Sequence, residues 1–315
     1  MDSVSVAAPA PRVSVIMNCY NGERYLAEAL DSVFAQTLGD FEIIFWDNVS
    51  TDRSAEIAQA RGPRVRYFLA PEQTPLGEAR KLAAAQARGT FLAFLDTDDR
   101  YEPHALARLA AAFESGPWAL VYGAIRFIDD SGHPLQTLRT SPLAGGGLDA
   151  LLRQFDIYLP AVLVRRAALI EEGLTFDPSI TASEEYCLFM QLAARRPIKV
   201  ISDVLGEYRV HGGALTNRSI SKWADEREYT LGRIVAHDPA VEQRHRGAMR
   251  EARARARYYR ARWLISENRK TDAIRQLASA LRAGPMYWAL LVLSLLPRGA
   301  WNAVHAWRTH RVLRG

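Results

Sequence analysis

Four consecutive residues, Asp96-Thr97-Asp98-Asp99, directly follow an apolar run that predicts a buried strand. Two carboxylates separated by one residue on an extended segment can reach one site. Mg²⁺ and Mn²⁺ bind a few such oxygens while keeping positions open for phosphate, which suits a diphosphate leaving group. The same residues also make an acidic helix start before Pro103, and the motif alone does not separate the two interpretations.

A second acidic pair, Glu184-Glu185, follows Ser183 at the predicted start of a helix. A carboxylate at this position could take a proton from an acceptor hydroxyl as a general base. The helix dipole also stabilises acidic residues in a first turn, so an ordinary helix start is the more frequent explanation of such a pair taken alone.

Basic and imidazole groups occur at two further positions. His211 could ligate a metal, and Arg209 two residues earlier could bind phosphate. Arg80 and Lys81 on a predicted helix could face a diphosphate, or they could lie on a solvated helix face. Neither position identifies a site by itself.

The elements that must position these residues follow from the apolar pattern. Apolar runs at 13–17, 42–46, 65–68 and 90–95 predict buried strands, and helical spacing fills the intervals. This alternation predicts a mostly parallel sheet with helices on both faces, and ligands of such sheets bind at the carboxyl ends of strands. The polar clusters NCYN, WDN and DTDD fall at those ends. The sequence has no GxGxxG motif or P-loop, which argues against the usual dinucleotide and NTP-hydrolase cradles.

Composition and charge limit the classes of protein to which this sequence can belong. The 315 residues include two cysteines without paired spacing, which favours neither a disulfide framework nor a zinc site and fits a reducing compartment. Residues 1–11 predict a short disordered leader, because they lack the basic and apolar regions of a signal peptide. No window reaches the roughly 18–20 apolar residues of a membrane-spanning helix.

Residues 241–315 carry a net charge of +12 and residues 1–240 a net charge of −7, so these regions should differ in role.

Five segments carry a family resemblance. They are VSVIMNCYNGERYLAEALDSVFAQT, EIIFWDNVSTDRS, TPLGEARKLAAAQARGTFLAFLDTDD, VLVRRAALIEEGLTFDPSITASEEYCLFMQLA and YRVHGG. In this order and spacing they resemble the inverting glycosyltransferase family 2 over residues 13–213. The resemblance implies an α/β GT-A fold, the Rossmann-like, mostly parallel sheet of nucleotide-diphospho-sugar transferases, at residues 12–222. A basic C-terminal helical appendage is expected at 223–315.

The resemblance also implies donor contacts at matching positions. Tyr20 and Asn21 fall where the family lines the pocket for the nucleobase, and Tyr20 could stack on the base. Asp47 falls where an acidic residue contacts the base or ribose. Arg80 matches a basic residue near the donor, and Asp96 matches a contact to the nucleotide.

Metal and catalytic roles follow in the same way. Asp98 matches the ligand of a Mn²⁺ or Mg²⁺ ion, and His211 falls in a segment that closes near the diphosphate and could also ligate that ion. Glu185 matches the catalytic base, with Glu184 as the alternative. The implied reaction is a single displacement that inverts the anomeric carbon, with the metal taking the charge of the departing nucleoside diphosphate.

The sequence departs from the family pattern at four positions. Asn48 and Val49 replace a usual Asp and Gly, Lys81 stands where Asn is common, and Glu185 replaces a usual Asp. These changes leave the donor and acceptor open, and they allow a catalytically inactive nucleotide-sugar-binding or scaffold protein. A nucleotidyltransferase is a weaker alternative, because NCYNGERY lacks the glycine-rich basic signature that holds a triphosphate.

The region after residue 223 has helical spacing throughout. Arginines beside Trp and Tyr could lie in a membrane interface, and this charge favours anionic lipid or an anionic acceptor. The alternative is a docked helical hairpin with solvated arginines. No recognition motif supports a nucleic-acid partner.

We expect a nucleotide-sugar donor and a glycan or lipid-linked acceptor of bacterial surface polysaccharide or glycolipid assembly. We expect the protein in the cytoplasm, with residues 241–315 touching the inner face of the cell membrane.

Overall fold

The structure, a computed structural model, describes residues 10–140, 147–211, 220–297, 299 and 301. The strands of these residues form one nine-stranded sheet and are β1 (Val13–Cys19), β2 (Phe41–Asp47), β3 (Val65–Leu69), β4 (Phe91–Phe94), β5 (Arg100–Tyr101), β6 (Leu120–Ile128), β7 (Pro134–Leu138), β8 (Val162–Arg165) and β9 (Ile198–Arg209). The α-helices of the same residues are α1 (Glu23–Phe34), α2 (Ser54–Gln59), α3 (Leu76–Ala85), α4 (Ala105–Ala112), α5 (Gly147–Arg153), α6 (Arg166–Glu171), α7 (Glu184–Arg195), α8 (Ile220–His237), α9 (Val241–Arg244), α10 (Arg246–Ser266), α11 (Lys270–Ala280) and α12 (Pro285–Leu295).

The strands lie in the order β3-β2-β1-β4-β8-β6-β9-β5, and β7 pairs with β6. The first four strands of this order are mutually parallel. Strand β8 runs antiparallel to both β4 and β6, whereas β9 runs parallel to β6. The predicted α/β fold with a mostly parallel sheet is confirmed. Because β1, β2 and β4 are parallel, their carboxyl ends meet at one edge of the sheet.

The central strand β1 explains the two-layered core. Its apolar residues are buried on both faces, as expected for a strand inside a parallel sheet covered by helices. Val15 and Met17 pack with α1 and α4 on one face, whereas Ile16 packs with α3 and α7 on the other. Successive side chains of a strand point to opposite faces, which produces this division.

The core on the Ile16 side extends beyond residue 222. Leu231 and Ile234 of α8 and Met249 of α10 belong to the same buried cluster as the sheet. A separate apolar cluster joins the second half of α10 to α11 and α12. The helices after residue 223 therefore divide between the core of the sheet and a smaller core of their own.

The length and apolar character of the helices bear on the prediction that no segment spans a membrane. The apolar run near residue 290 forms α12, which has 11 residues. None of the described helices is long and apolar enough to cross a membrane. The predicted leader lies almost wholly outside the described residues, as does most of the segment after residue 297.

Candidate active site

A cavity of about 1430 Å³ opens at the carboxyl ends of β1, β2 and β4 and reaches the first turn of α7. Most of the side chains predicted from sequence to act on a donor, a metal or an acceptor lie on its wall. These are Tyr20, Asn21, Arg80, Asp96, Asp98, Glu184, Glu185 and His211. The topology thus gathers residues that are up to 191 positions apart in the sequence.

Asp47 is the predicted site residue that does not line this cavity. Its side chain is buried, and its two oxygens accept hydrogen bonds from the Tyr67 hydroxyl at 2.6 Å and the Ser50 N–H at 2.7 Å. The parallel pairing of β2 and β3 brings Tyr67 to it. Asp47 therefore stabilises the end of β2, and its expected contact with a base or ribose stays a prediction. Its neighbour Asn48 lines the cavity instead.

Asn48 and Val49 have local roles in the turn after β2. The Asn48 amide binds the backbone of Thr74, with Nδ2 donating to the carbonyl at 2.7 Å and Oδ1 accepting from the N–H at 3.1 Å. Val49 has a φ of +68°, in the left-handed region that a β-branched residue rarely adopts. The turn thus keeps the conformation that a glycine would favour, although valine occupies it.

The loop after β1 is held against its neighbours by backbone contacts. The Asn21 amide oxygen accepts a hydrogen bond from the Thr51 N–H at 2.8 Å, so this side chain joins two loops. Gly22 lies so close to the next loop that a Cβ atom would stand 2.8 Å from the Thr97 hydroxyl. Tyr20, in contrast, is 51% exposed on the cavity wall. Its ring is therefore accessible to a bound base.

Arg80 is the centre of a buried charge network. Its side chain is 4% exposed and pairs with Glu184 and with Asp96, whose Oδ1 lies 2.6 Å from Nη2. Glu185 is the third carboxylate, 3.9 Å from Nη1. Burial lowers the pKa of Arg80, but these three carboxylates outweigh it and raise the pKa above its ordinary value. Arg80 is therefore a permanent cation that fixes the carboxylates around it.

The close packing of α3 against the loop before α7 makes this network possible. A Cβ atom on Gly77 would lie 2.6 Å from the Ile180 carbonyl oxygen, so only glycine fits between the helix and the loop. Arg80 lies one turn further along α3 and thereby reaches the first residues of α7. A local glycine thus positions a contact between residues 104 positions apart.

The two adjacent glutamates differ in their environments. Glu184 is buried and paired with Arg80, whereas the Glu185 side chain keeps 29% exposure to the cavity. Burial and then the charge of Glu184 raise the pKa of Glu185 to about 8, although Arg80 opposes this shift. A carboxylate with a pKa near the working pH and access to a cavity can act as a general base.

Asp98 and His211 meet at the opposite side of the cavity. The imidazole Nε2 lies 2.9 Å from the Asp98 Oδ2. Burial and then the charge of Asp96 raise the pKa of Asp98, and the contact with His211 opposes this rise. Two residues that follow β4 and β9 are thus brought together.

The end of β9 is fixed to the acidic loop by two further groups. The Asp99 Oδ1 accepts a hydrogen bond from the Arg209 N–H at 2.9 Å, and the Arg209 Nε donates to the Asp98 carbonyl at 2.9 Å. Arg209 also pairs with Glu28 at 2.9 Å and is 1% exposed. Its guanidinium therefore positions the loop that carries Asp98 and Asp99, and the sequence-based expectation of a phosphate contact at Arg209 does not match this burial.

The donor set suits a divalent ion that keeps open positions. Among the described residues, no three histidine, cysteine, aspartate or glutamate side chains form a metal-binding group. Mg²⁺ in nucleotide sites is commonly held by one or two carboxylates together with substrate phosphates. Asp98 and His211 offer one carboxylate and one imidazole on the cavity wall, so these two residues fit such an ion when a diphosphate supplies further ligands.

Sequence reasoning missed the contribution of α8 to the site. Glu226 accepts hydrogen bonds from the Thr181 N–H at 2.8 Å, the Ala182 N–H at 3.1 Å and the Ser183 hydroxyl at 2.8 Å. The loop that leads to Glu185 is therefore anchored by a helix beyond residue 220. Nothing in the local pattern of α8 distinguishes Glu226 from an ordinary surface glutamate.

The comparisons with known proteins identify the family and the fold. Residues 14–169 match the family model described as glycosyl transferase family 2. An uncharacterized glycosyltransferase of Haemophilus influenzae is 30% identical over 57% of this chain and 71% of its own length. An uncharacterized glycosyltransferase of Rickettsia felis is 28% identical over 72% of this chain, and the Escherichia coli chondroitin synthase is 29% identical over 69%. The chain spans about a third of these two relatives, at 38% and 31% of their lengths.

Solved structures share the fold. The 1-349 chain of Staphylococcus aureus TarS in complex with UDP-GlcNAc has a TM-score of 0.66 at 20% identity, with 90% of this chain and 84% of that 1-349 chain covered. The mannosyltransferase PcManGT of Pyrobaculum calidifontis, in complex with GDP-Man and Mn²⁺, has a TM-score of 0.59 at 17% identity, with 96% and 86% covered. The fold is thus that of the GT-A glycosyltransferases. The chain belongs to glycosyltransferase family 2, as the five sequence segments predicted.

Proposed function

We propose that this glycosyltransferase moves a sugar from a nucleotide-diphospho-sugar to a hydroxyl acceptor with inversion at the anomeric carbon. The observation that carries the proposal is the Glu185 carboxyl, which faces the same cavity as the Asp98–His211 pair. A base and a diphosphate-binding group on one cavity wall are the two requirements of a single displacement.

The loops at the carboxyl ends of the strands form the part of the cavity that we assign to the donor. Tyr20 would stack on the nucleobase, and Asn21 and Asn48 line the wall beside it. Asp96 would contact the nucleotide, with its carboxylate oriented by Arg80. Asp98 and His211 would hold a Mn²⁺ or Mg²⁺ ion, which when bound supplies positive charge for the departing nucleoside diphosphate.

The chemical step is assigned to Glu185. Its carboxylate takes the proton of the acceptor hydroxyl as that oxygen attacks the anomeric carbon. The bond to the diphosphate oxygen breaks on the opposite face, so the anomeric configuration inverts. Glu184 is buried against Arg80 and closed to the acceptor, and together these two residues orient the base.

The relatives support a role in bacterial surface polysaccharide or glycolipid assembly. One relative is named a chondroitin synthase, and TarS was solved with UDP-GlcNAc. A glycan or lipid-linked acceptor at the inner face of the cell membrane fits the chemistry of such assembly. A cytoplasmic protein with peripheral membrane contact is the matching localisation.

The direct test is a screen of UDP-, GDP- and dTDP-sugars with Mn²⁺. We expect one nucleotide sugar to raise the melting temperature and to be hydrolysed slowly, with an inverted sugar product observed by NMR. Glu185→Gln should keep the thermal shift and lose the hydrolysis. Binding without hydrolysis by the wild-type protein would support the alternative of an inactive nucleotide-sugar-binding protein, and the absence of both would reject the proposal.

The surface of α12 favours a membrane partner. Its exposed apolar residues include Trp288, Val292 and Leu295, which are 57%, 60% and 58% exposed and follow one another at helical spacing. Residues 241–315 carry a net charge of +12. An apolar helix face in a basic region fits the interface of a membrane that contains anionic lipid.

Vesicle sedimentation of the full chain tests this contact. We expect binding to phosphatidylglycerol-containing vesicles and weaker binding to phosphatidylcholine alone. Deletion of residues 241–315 is an unsuitable test because Val241 and Met249 belong to the core of the sheet. Equal sedimentation with and without vesicles would reject the membrane contact and leave a docked helical hairpin.

A further inference from the structure

A separate group of side chains lies on the cavity wall at α8 and α10. The guanidinium carbon of Arg227 lies 4.1 Å from the centroid of the Tyr186 ring and 5.2 Å from that of Tyr259. Trp223 packs edge-on against Tyr259, with ring centroids 5.2 Å apart at 86°. Tyr186 directly follows Glu185 in α7, so this group borders the position of the base. No donor or metal contact described above uses it.

The arginines of the cavity differ in their partners. Arg80 pairs with Glu184 and Asp96, and Arg24 pairs with Asp130. Arg227 pairs with no carboxylate within the described part of the chain, and its Nε is buried without a hydrogen-bond partner. The buried Nε is closed to a ligand, and the faces of the Tyr186 and Tyr259 rings stabilise part of the positive charge. An anion that reached the terminal nitrogens from the cavity would add charge-assisted hydrogen bonds. Among the described residues of the cavity wall, Arg227 thus presents a guanidinium without a carboxylate partner to an incoming ligand.

We propose that Arg227 binds an anionic group of the acceptor, a carboxylate or a phosphate, and that Tyr259 and Trp223 pack against the attached sugar or polyol. This inference rests on the proposed function and names the chemical class of the acceptor. A guanidinium donates two parallel hydrogen bonds to either anion. Aromatic rings offer apolar area to the C–H face of a sugar ring.

The position of Arg227 favours the acceptor over the donor diphosphate. The expected diphosphate site lies at the loops after β4 and β9, where Asp98 and His211 meet. Arg227 instead follows Glu226, which anchors the loop that leads to Glu185. A group bound to Arg227 is therefore held in a fixed relation to the base. This is the requirement for presenting an acceptor hydroxyl.

The charges around the cavity also affect the orientation in which the acceptor binds. The carboxylates of Asp96 and Glu184 line the same cavity and would repel an anionic acceptor that bound in the wrong orientation. Attraction to Arg227 and repulsion by these carboxylates act together, because both keep the anionic group on the α8 side. The hydroxyl end is then directed toward Glu185.

The test compares pairs of acceptor analogues that differ in charge. The first pair is p-nitrophenyl β-D-glucuronide and p-nitrophenyl β-D-glucoside, and the second is glycerol 3-phosphate and glycerol. Binding is measured by ligand-observed NMR on the full chain with Mn²⁺ and the nucleotide of the accepted donor. We expect the anionic member of at least one pair to bind about tenfold more tightly than its neutral partner. The pair with the larger ratio tells a uronate acceptor from a phosphate acceptor.

Variants connect the preference to Arg227. Arg227→Met should remove the charge preference, Arg227→Lys should keep part of it, and Arg233→Met on the exposed side of the same helix should keep all of it. Circular dichroism and thermal melting establish that each variant is folded. If Arg227→Met does not fold, the ratio in the wild type and in Arg227→Lys decides the question.

Two results overturn the inference. The first is equal binding, or no binding, of the charged and neutral members in the wild type. The second is a charge preference that persists in folded Arg227→Met. Hydrolysis of the donor by the wild type separates this outcome from a failure of the proposed function, because hydrolysis with water needs no acceptor anion. A donor that is hydrolysed while both analogue pairs show no preference rejects the subsite and leaves the glycosyltransferase intact.

Discussion

The cavity wall and the outer face of α12 distribute charged and apolar groups in opposite ways. In the cavity, Arg80 is 4% exposed and is compensated by surrounding carboxylates. On α12, Trp288 and Val292 are 57% and 60% exposed on a surface without such pairing. Charged side chains are buried beside the cavity in which we propose the reaction. Apolar side chains are exposed on α12, where we propose a membrane contact.

This contrast separates two kinds of functional signal. A buried ion network costs desolvation free energy, so its presence at the strand ends indicates chemistry more than stability. An exposed apolar face is unfavourable in water, so it indicates a partner and not a reaction. The predictions below test whether the two regions are as different in function as in composition.

The largest expected effect is on turnover at the base. Glu185→Gln removes the proton acceptor and should lower kcat by about 10³-fold, since general base catalysis commonly contributes about 10²–10⁴-fold. Glu184→Gln keeps the base and should lower kcat by only about tenfold through weaker positioning by Arg80. Both rates are measured by release of nucleoside diphosphate. A greater loss in Glu184→Gln than in Glu185→Gln would assign the base role to Glu184.

Removal of the central cation should destabilise the fold. Arg80→Met leaves the buried Glu184 without its partner and should lower the free energy of unfolding by about 3–5 kcal/mol. Lys81→Met is the matched control, because this half-exposed lysine pairs, within the described residues, only with Glu78 on its own helix and should cost less than about 1 kcal/mol. Urea unfolding monitored by circular dichroism measures both values. Equal losses would contradict the central role of Arg80.

The pH dependence should follow the raised pKa of Glu185. A base is active when deprotonated, and burial and then Glu184 raise its pKa to about 8. The value of kcat/KM should therefore rise with pH by about tenfold per unit below that pKa and level off above it. Initial rates at low donor concentration in a constant-ionic-strength buffer series measure the profile. A profile that is flat between about pH 6 and 8 would exclude this titration.

The smallest expected effect concerns the surface of α12. Val292→Glu places a charge in the exposed apolar face and should reduce binding to anionic vesicles several-fold. Ile170→Glu is the control, because Ile170 is 64% exposed on α6 and lies outside the C-terminal region. Sedimentation of both variants with the same vesicles gives the comparison. A similar reduction in both variants would remove the special role of α12.

Much of the fold could be predicted from local pattern. The apolar runs predicted β1, β2, β3 and β4 to within two residues at each end, because burial on both faces of a parallel sheet leaves a continuous hydrophobic signature. The strand β9 gives a weaker signal, because polar residues such as Lys199 and Asp203 interrupt its apolar pattern. A strand at the side of a sheet needs fewer apolar side chains than a central one.

The candidate site was predictable to a different degree. Asp96, Asp98 and Glu185 could be named because five segments in a characteristic order and spacing resemble a known family, whereas each acidic group alone has an ordinary explanation as a helix start. The hydrogen bond from the Tyr67 hydroxyl to Asp47 could not be predicted, because it depends on the pairing of β2 with β3. Arg227 was equally hidden, since its neighbours in α8 form an ordinary amphipathic helix.

The sequence by itself determined which segments are buried and which residue types stand at their ends, because periodicity and turn chemistry act over about a dozen neighbouring residues. Only the tertiary structure decided the partners of those residues. Arg80 binds Glu184 from 104 positions away and thereby leaves Glu185 as the carboxylate open to the cavity. Pairings over such distances depend on the packing of α3 against α7, and no local pattern contains that information.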